Sequence, residues 1–299
     1  MKLVKIKSES DGLELELAIS VPNVAPKAIV QISHGMSEHK ESYFEFMNYL
    51  SDNGYIAIIN DHRGHGASVK SKEDLGYFYT EDINYIVDDL HCVTKYIKSL
   101  YPNLKVNLIS HSMGTLVARN YLKKYDDELS KLVLIGPPTK NSLTKIGIVL
   151  ANISKLFHHP KSPDKFMDRI VFSTFTSRKN GRNNWITTDE NAVEKFSKDE
   201  LSWYVYTSNG YINLIKLMDK AYTKKDWLVK NGEMPILLMA GSLDKVIRSK
   251  VKFNDLVLFL KERGYKNIAY KMYDGKKHDL MNEVNKYEVF KDILNYIEE

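Results

Sequence analysis

Val106-Asn107-Leu108-Ile109-Ser110-His111-Ser112-Met113-Gly114 leads from a short β-rich run straight into a helix-forming segment, residues 113–124. A turn that tight requires small residues two places before and two places after its apex, and Ser110 and Gly114 both qualify. The apex serine would then stand above the carboxyl edge of a sheet, at the positive end of a helix, where α/β sheets bind ligands. A serine in front of a helix is also an ordinary N-cap. The rest of the chain decides between these readings.

Further apolar runs occur at residues 28–32, 55–59, 131–135, 236–239 and 268–272, mostly continuous as in strands covered on both faces. Helical patterns separate them. Between residues 82 and 100, Ile83, Ile86, Val87, Leu90, Val93, Ile97 and Leu100 recur every three or four positions. Residues 43–52, 250–263 and 283–297 read as helices of similar quality, the first two stopped at Gly54 and Gly264. Strand–helix alternation predicts βαβ units and a parallel sheet. Ahead of it, residues 3–7 and 13–19 alternate apolar and polar side chains around a Ser-Glu-Ser-Asp-Gly turn, the pattern of an antiparallel hairpin. The alternation breaks between Pro137-Pro138 and Pro235, a stretch far longer than one crossover requires. It predicts an inserted subdomain at residues 139–220, with residues 1–138 and 221–299 forming the main domain.

A serine nucleophile needs a base, and the base a carboxylate. Gly241-Ser242-Leu243-Asp244 follows one strand and Gly275-Lys276-Lys277-His278 the next, so Ser112, Asp244 and His278 occur in the order nucleophile, acid, base used by α/β-hydrolases. Asp274 and Asp279 flank His278 too closely to turn back on its ring and read as solvated loop charges. An oxyanion needs paired N–H donors. The Met113 amide is one candidate, and the Met36 amide, in the loop Ser33-His34-Gly35-Met36-Ser37-Glu38-His39, is the other. His34, His39, His62 and His65 crowd two loops, but their spacing resembles no short zinc motif. No metal is expected, and His62 and His65 read as structural residues bonding the strand ends.

Composition bounds the class. The 299 residues carry 43 Lys+Arg against 38 Asp+Glu, with 43% hydrophobic and 27% charged side chains, which excludes disordered and fibrous proteins. A single cysteine, Cys92, excludes an internal disulfide or a cysteine metal cage. Residues 1–7 read as a strand, not a signal peptide, and no run approaches the ~18 apolar residues of a membrane span, so a cytoplasmic protein is expected. Residues 139–230 hold 16 Lys+Arg and 9 Asp+Glu, a net +7 that leaves the remainder at −2. Leu143, Ile146, Val149, Leu150, Ile153, Leu156 and Phe157 share one side of an amphipathic segment there, with Lys145 and Lys155 among them. That side is expected either to pack on the main domain as a lid or, in part, to face an anionic lipid surface, which would make the protein peripherally membrane-associated. Nucleic acid is not an expected partner, since no basic run with interleaved aromatics occurs.

Taken together, His34-Gly35-Met36-Ser37-Glu38-His39, Asp61-His62-Arg63-Gly64-His65-Gly66-Ala67-Ser68, His111-Ser112-Met113-Gly114, Gly241-Ser242-Leu243-Asp244 and His278 resemble the monoacylglycerol lipase and lysophospholipase group of serine hydrolases. The resemblance covers nearly the whole chain in order. It implies an α/β-hydrolase fold, with a mostly parallel central sheet, helices on both faces and an inserted helical cap. It also implies cofactor-free cleavage of small acyl esters, single-chain glycerides or related compounds, through an acyl-enzyme. Gly35, Glu38 and His111, together with Leu143, Ile146 and Ile153 of the cap, become candidate substrate-binding residues. Two positions depart from the group: Ser110 replaces the usual first glycine of the elbow, and Ser42 stands where glyceride-cleaving relatives commonly carry an arginine. A peptidase or amidase on the same fold shares the triad but would need carboxylates in the cap to hold an amino terminus. A ligand receptor derived from a hydrolase would not need the complete triad.

Overall fold

Eight strands form one sheet: β1 (Lys2–Lys7), β2 (Glu14–Ser20), β3 (Ile29–Ser33), β4 (Ile56–Asn60), β5 (Val106–His111), β6 (Lys131–Ile135), β7 (Ile236–Gly241) and β8 (Ile268–Tyr273). The computed structural model describes residues 1–173, 175 and 183–299. The strand order is β1-β2-β4-β3-β5-β6-β7-β8. β1 and β2 make the expected hairpin, β2 pairs antiparallel with β4, and every other pairing is parallel.

The helices flanking the sheet are α1 (Phe44–Asp52), α2 (Asn84–Leu100), α3 (Met113–Tyr125) and α8 (Lys250–Arg263) between strands and α9 (Lys286–Glu298) after β8; between β6 and β7 lie α4 (Thr144–Lys155), α5 (Lys165–Phe172), α6 (Glu190–Lys198) and α7 (Ser208–Ala221). Alternate strand residues sort onto two cores. Ile56, Ile58, Leu132 and Leu134 pack with α2, α3 and α8, while Ala57, Ile59, Val133 and Ile135 pack with α1 and α9. Both faces are covered, which is why the strands read as continuous apolar runs. Helix starts differ locally from the sequence expectation. Asp82 accepts the Asn84 amide at 2.9 Å and so ends the preceding loop, residues 40–43 form a 3₁₀ turn ahead of α1, and Asn285 at φ 65° delays α9.

The Asp61–Gly66 motif is structural. Asp61 accepts the amides of Lys40 and Ala67 at 2.7 and 2.8 Å and the Lys40 ammonium at 2.8 Å. A Cβ on Gly66 would lie 2.3 Å from that carboxylate. Arg63, fully buried, meets Asp89 of α2 with two bonds of 2.7 and 3.1 Å and reaches Asp11 in the hairpin turn at 3.0 Å. It thereby ties the antiparallel edge to the parallel sheet. Removing one partner of a buried ion pair strands the other charge, which costs about 3–5 kcal/mol. Asp89→Leu is expected to lose that much stability in urea unfolding, and Asp89→Leu with Arg63→Met to regain most of it. A double variant no more stable than the single one would show that packing around Arg63, and not its charge, holds this corner.

Candidate active site

Ser112 adopts φ 50° and ψ −116°, a strained turn between β5 and α3, and its side chain makes no capping bond to the helix. The N-cap reading is therefore excluded. Two contacts make the strain tolerable. Ser112 N donates to Ile135 O at 2.9 Å, and Gly114 lets α3 press so close to β3 that a Cβ there would lie 2.1 Å from Ser33 O. Ser110, in place of the usual glycine, is fully buried and donates its hydroxyl to Val133 O at 3.1 Å, so the substitution leaves no unpaired group.

Gly241 ends β7 where a Cβ would lie 2.1 and 2.3 Å from the Lys276 and Lys277 carbonyls. That backbone approach brings the loops carrying Asp244 and His278 together. His278 Nδ1 lies 3.0 Å from Asp244 Oδ2, and Nε2 lies 2.8 Å from Ser112 Oγ. Asp244 is oriented in turn by the Val246 amide, which donates to its Oδ1 at 2.7 Å. With the ring proton facing Asp244, Nε2 is left to accept from the serine. Trp185, from the insertion, covers the imidazole at 5.3 Å between ring centroids.

The flanking aspartates differ from each other. Asp274 is an exposed loop charge accepting from Ser242 Oγ at 3.0 Å, as expected. Asp279 is not solvated: it is buried, caps the Met281 amide at 3.1 Å, and burial pushes its carboxyl up. The His-rich loops are structural as well. His34 Nε2 accepts the His62 amide at 2.9 Å, His62 Nε2 lies 3.0 Å from Ser33 Oγ, and His65 bonds Arg63 O at 3.0 Å and Tyr206 Oη. Among the described residues, no three His, Cys, Asp or Glu side chains converge as a metal site.

Met36 and Met113 both line the cavity above Ser112. Among the described residues, neither amide N–H has an acceptor within the protein. Gly35 and His111, read from the sequence as substrate-binding, do not line it. They serve Glu38 instead. The Glu38 side chain folds back so closely that a Cβ on Gly35 would lie 2.5 Å from it, and it accepts the Gly35 amide at 2.9 Å, the Tyr43 hydroxyl at 2.6 Å and faces His111 Nδ1 at 2.9 Å. Glu38 reaches the cavity wall with its oxygens already engaged.

The cavity holds about 670 Å³ and is walled largely by the insertion. α4 contributes Ile146, Gly147 and Leu150, with Leu143 just before it, and packs on α7 at Gly147, where a Cβ would lie 3.2 Å from Ile215. Ile153, expected to bind substrate, does not line the cavity: it lies two turns beyond Ile146 along the same side of α4, past the stretch from Leu143 to Leu150 that forms the wall, and is 49% exposed. Sequence reasoning missed Phe172, Trp185, Trp203 and the α7 residues Leu214, Ile215 and Met218, all of which line the cavity. The three- and four-residue spacing of the last three was the available signal.

A sheet of this order, with a serine on a strained turn and its histidine and aspartate on the loops after β8 and β7, defines an α/β-hydrolase. Comparisons agree. A solved carboxyl esterase from Bacillus coagulans superposes with a TM-score of 0.90 at 21% identity, covering 99% of this chain and 97% of that one. The monoglyceride lipase homolog of monkeypox virus is 24% identical over 281 residues, 93% of this chain and 90% of its own. A Bacillus subtilis phospholipase is 22% identical over 268 residues, 89% of this chain and 93% of its own. The family described as serine aminopeptidase, S33, matches residues 24–285, and the chain belongs to it.

The Glu38–His111 pair makes stability depend on pH. Burial alone would depress the His111 imidazolium, but the Glu38 carboxylate beside it outweighs burial and holds it up at about 9, from an ordinary 6.5. Glu38, which burial alone would raise, is held down by His111 and Tyr43 at about 2, from 4.5. His111 therefore stabilises the fold fully below about pH 6.5 and ceases to as pH rises through about 9; Glu38 does so above about 4.5 and ceases to as pH falls toward 2. Urea unfolding is expected to show a loss of stability between about pH 6 and 9.5, and His111→Gln to lose less over the same range. An equally steep loss in the variant would place the titrating group elsewhere.

Proposed function

We propose that this chain hydrolyses carboxylic esters of single acyl chains through an acyl-enzyme formed on Ser112. The observation that carries the reading is a serine 2.8 Å from a histidine, itself 3.0 Å from a buried aspartate, opening into a mostly apolar cavity. His278 takes the Ser112 proton as Oγ attacks the carbonyl carbon. The Met36 and Met113 amides stabilise the oxyanion, and Asp244 stabilises the imidazolium. Collapse of the intermediate breaks the ester C–O bond, and His278 returns the proton to the departing alkoxide. A water, deprotonated by the same histidine, then attacks the acyl-enzyme and releases the fatty acid and free Ser112.

The family's description names an aminopeptidase, whereas the monkeypox and Bacillus subtilis relatives are described as a monoglyceride lipase homolog and a phospholipase. Charge favours the ester. A substrate ammonium needs an available carboxylate, yet Glu38 is the one carboxylate lining the cavity among the described residues, and it is already bonded, while Lys245 and Arg248 also line it. The cap reading of residues 139–220 is supported by the apolar wall that α4 and α7 supply. We also assign the exposed apolar side chains of α4 and of the turn that follows it to a lipid surface: Val149, Ile153, Leu156 and Phe157 are 57, 49, 80 and 81% exposed, beside the cavity wall. Lys145 lies on the same helix, and Lys155 is paired with Glu81. No described helix is long and apolar enough to cross a membrane.

Ser112→Ala is expected to abolish ester hydrolysis and fluorophosphonate labelling in a folded protein, with a loss on the order of 10⁶ in kcat, and Asp244→Asn to lose on the order of 10⁴. Retention of more than about a thousandth of the rate by Ser112→Ala would end the serine-hydrolase reading. A panel of monoacylglycerols, lysophospholipids and amino-acid amides separates the ester from the peptidase reading.

Chain length tests the cap. Each buried CH₂ is worth ~0.8 kcal/mol, so Ile146→Ser and Leu150→Ser are expected to lower kcat/KM for decanoyl esters about tenfold or more and for acetyl esters less than about threefold. Ile153→Ser, beyond the stretch of α4 that lines the cavity, is expected to spare both and to weaken binding to anionic vesicles at low salt. Equal losses on short and long esters would make α4 a support of the fold and not a selector of substrate.

A further inference from the structure

We infer that Tyr206 and His65 are positioning residues that set the oxyanion loop, linking the insertion and the Asp61–Gly66 motif to the backbone that carries the Met36 amide. This rests on the assignment of Met36 as an oxyanion donor. Ser37, the next residue, sits at φ 53°, a left-handed conformation that a residue with a Cβ keeps only where its surroundings enforce it. The peptide linking Met36 to Ser37 is therefore governed by whatever holds Ser37, and the Met36 N–H, in the next peptide back, is placed through it. Its amide donates to Tyr206 Oη at 3.3 Å, its hydroxyl donates to Tyr204 O at 3.1 Å, and its carbonyl accepts the Trp203 amide at 3.1 Å. All of these partners lie in one segment of the insertion, immediately before α7.

The direction of the bonds can be worked out. His65 Nδ1 lies 3.0 Å from Arg63 O, a carbonyl that only accepts, so Nδ1 carries the ring proton. The ring is fully buried, and burial pushes it down to about 3, which keeps it neutral at physiological pH and leaves Nε2 as an acceptor. Tyr206 has one hydroxyl hydrogen and gives it to His65 Nε2, its closest neighbour. The tyrosine oxygen is thereby left as an acceptor for the Ser37 amide, and the chain of donors runs from Ser37 N–H to Tyr206 O–H to His65 and ends on the Arg63 carbonyl. Tyr206 Oη also lies 3.5 Å from Met113 Sδ, so the same hydroxyl touches the residue that supplies the second amide. Tyr206 and His65 are each fully buried and do not line the cavity, so they act on the reaction only through the loop and through Met113.

The test compares an ester with its thionoester, whose developing sulfur anion gains much less from an oxyanion site built for oxygen. A loop out of position therefore lowers ester hydrolysis more than thionoester hydrolysis, whereas general loss of folded protein lowers both alike. Tyr206→Phe, with wild-type labelling by a fluorophosphonate measured alongside, is expected to lower kcat for the ester by about ten- to a hundredfold with KM changed less than about threefold, and to reduce the ester-to-thionoester ratio by about tenfold. An unchanged ratio overturns the proposal. His65→Gln, which restores an acceptor for Tyr206, and His65→Leu, which cannot, carry the same test where Tyr206→Phe does not fold. The expected result is a ratio within about threefold of wild type for the first and about tenfold lower for the second; equal ratios overturn the inference. Wild-type protein that neither labels on Ser112 nor prefers the oxygen ester would instead refute the assigned mechanism itself.

Discussion

Backbone contact at the carboxyl edge of the sheet is the constraint on which everything above it depends. Gly114 lets α3 touch the end of β3, and Gly241 lets the end of β7 touch the loop after β8. A methyl group at either place would push apart the elements that bring Ser112, Asp244 and His278 within hydrogen-bond distance. The strain at Ser112 is held by the same contacts, because a residue at φ 50° persists only where its neighbours leave no alternative. Rigid packing below the turn is what allows a half-buried hydroxyl to reach the cavity above it.

Around that edge, several buried charges are paired across distant elements. Arg63 meets Asp89 and Asp11, Lys40 meets Asp61 and Glu16, and Glu38 meets His111, each at about 3 Å or less. These pairs connect elements distant in sequence: the first hairpin, the loop after β4, α2 and the turn after β3. A buried ion left without its partner is expensive, so each pair fixes one relative placement of its elements. The histidines of the same loops contribute differently. His62 and His65 are held neutral by burial and act as hydrogen-bonding links.

The insertion has three relations to the rest of the molecule. Its α7 packs on α3 and joins the main core through Tyr211, Ile212 and Leu217. Its segment at residues 203–206 grips the oxyanion loop. Its α4 lays its first two turns over the cavity and leaves apolar side chains exposed along its length. The first two are dense and polar or fully buried, and the third is apolar and half open.

Local pattern made much of this legible from sequence alone. The strands, α8 to the residue, the hairpin and the strained turn follow from two- and three-to-four-residue periodicity and from small residues at fixed offsets, which are properties of neighbouring positions. Ser112, Asp244 and His278 stood out because each follows the end of a recognisable strand, and the structure brings the three within hydrogen-bond distance. Tertiary structure alone decided the remainder. Periodicity marked the apolar stripe of α4, but where α4 crosses the site decided that Ile146 reaches the cavity and Ile153, two turns along the same stripe, does not. Asp279 looked like a loop charge and is buried, while Gly35 and His111 looked like contacts for substrate and instead hold Glu38. The bond from Ser37 to Tyr206 crosses 169 positions. No pattern among neighbouring residues can report such a pairing, because it is created only when the sheet edge and the insertion close over the same loop.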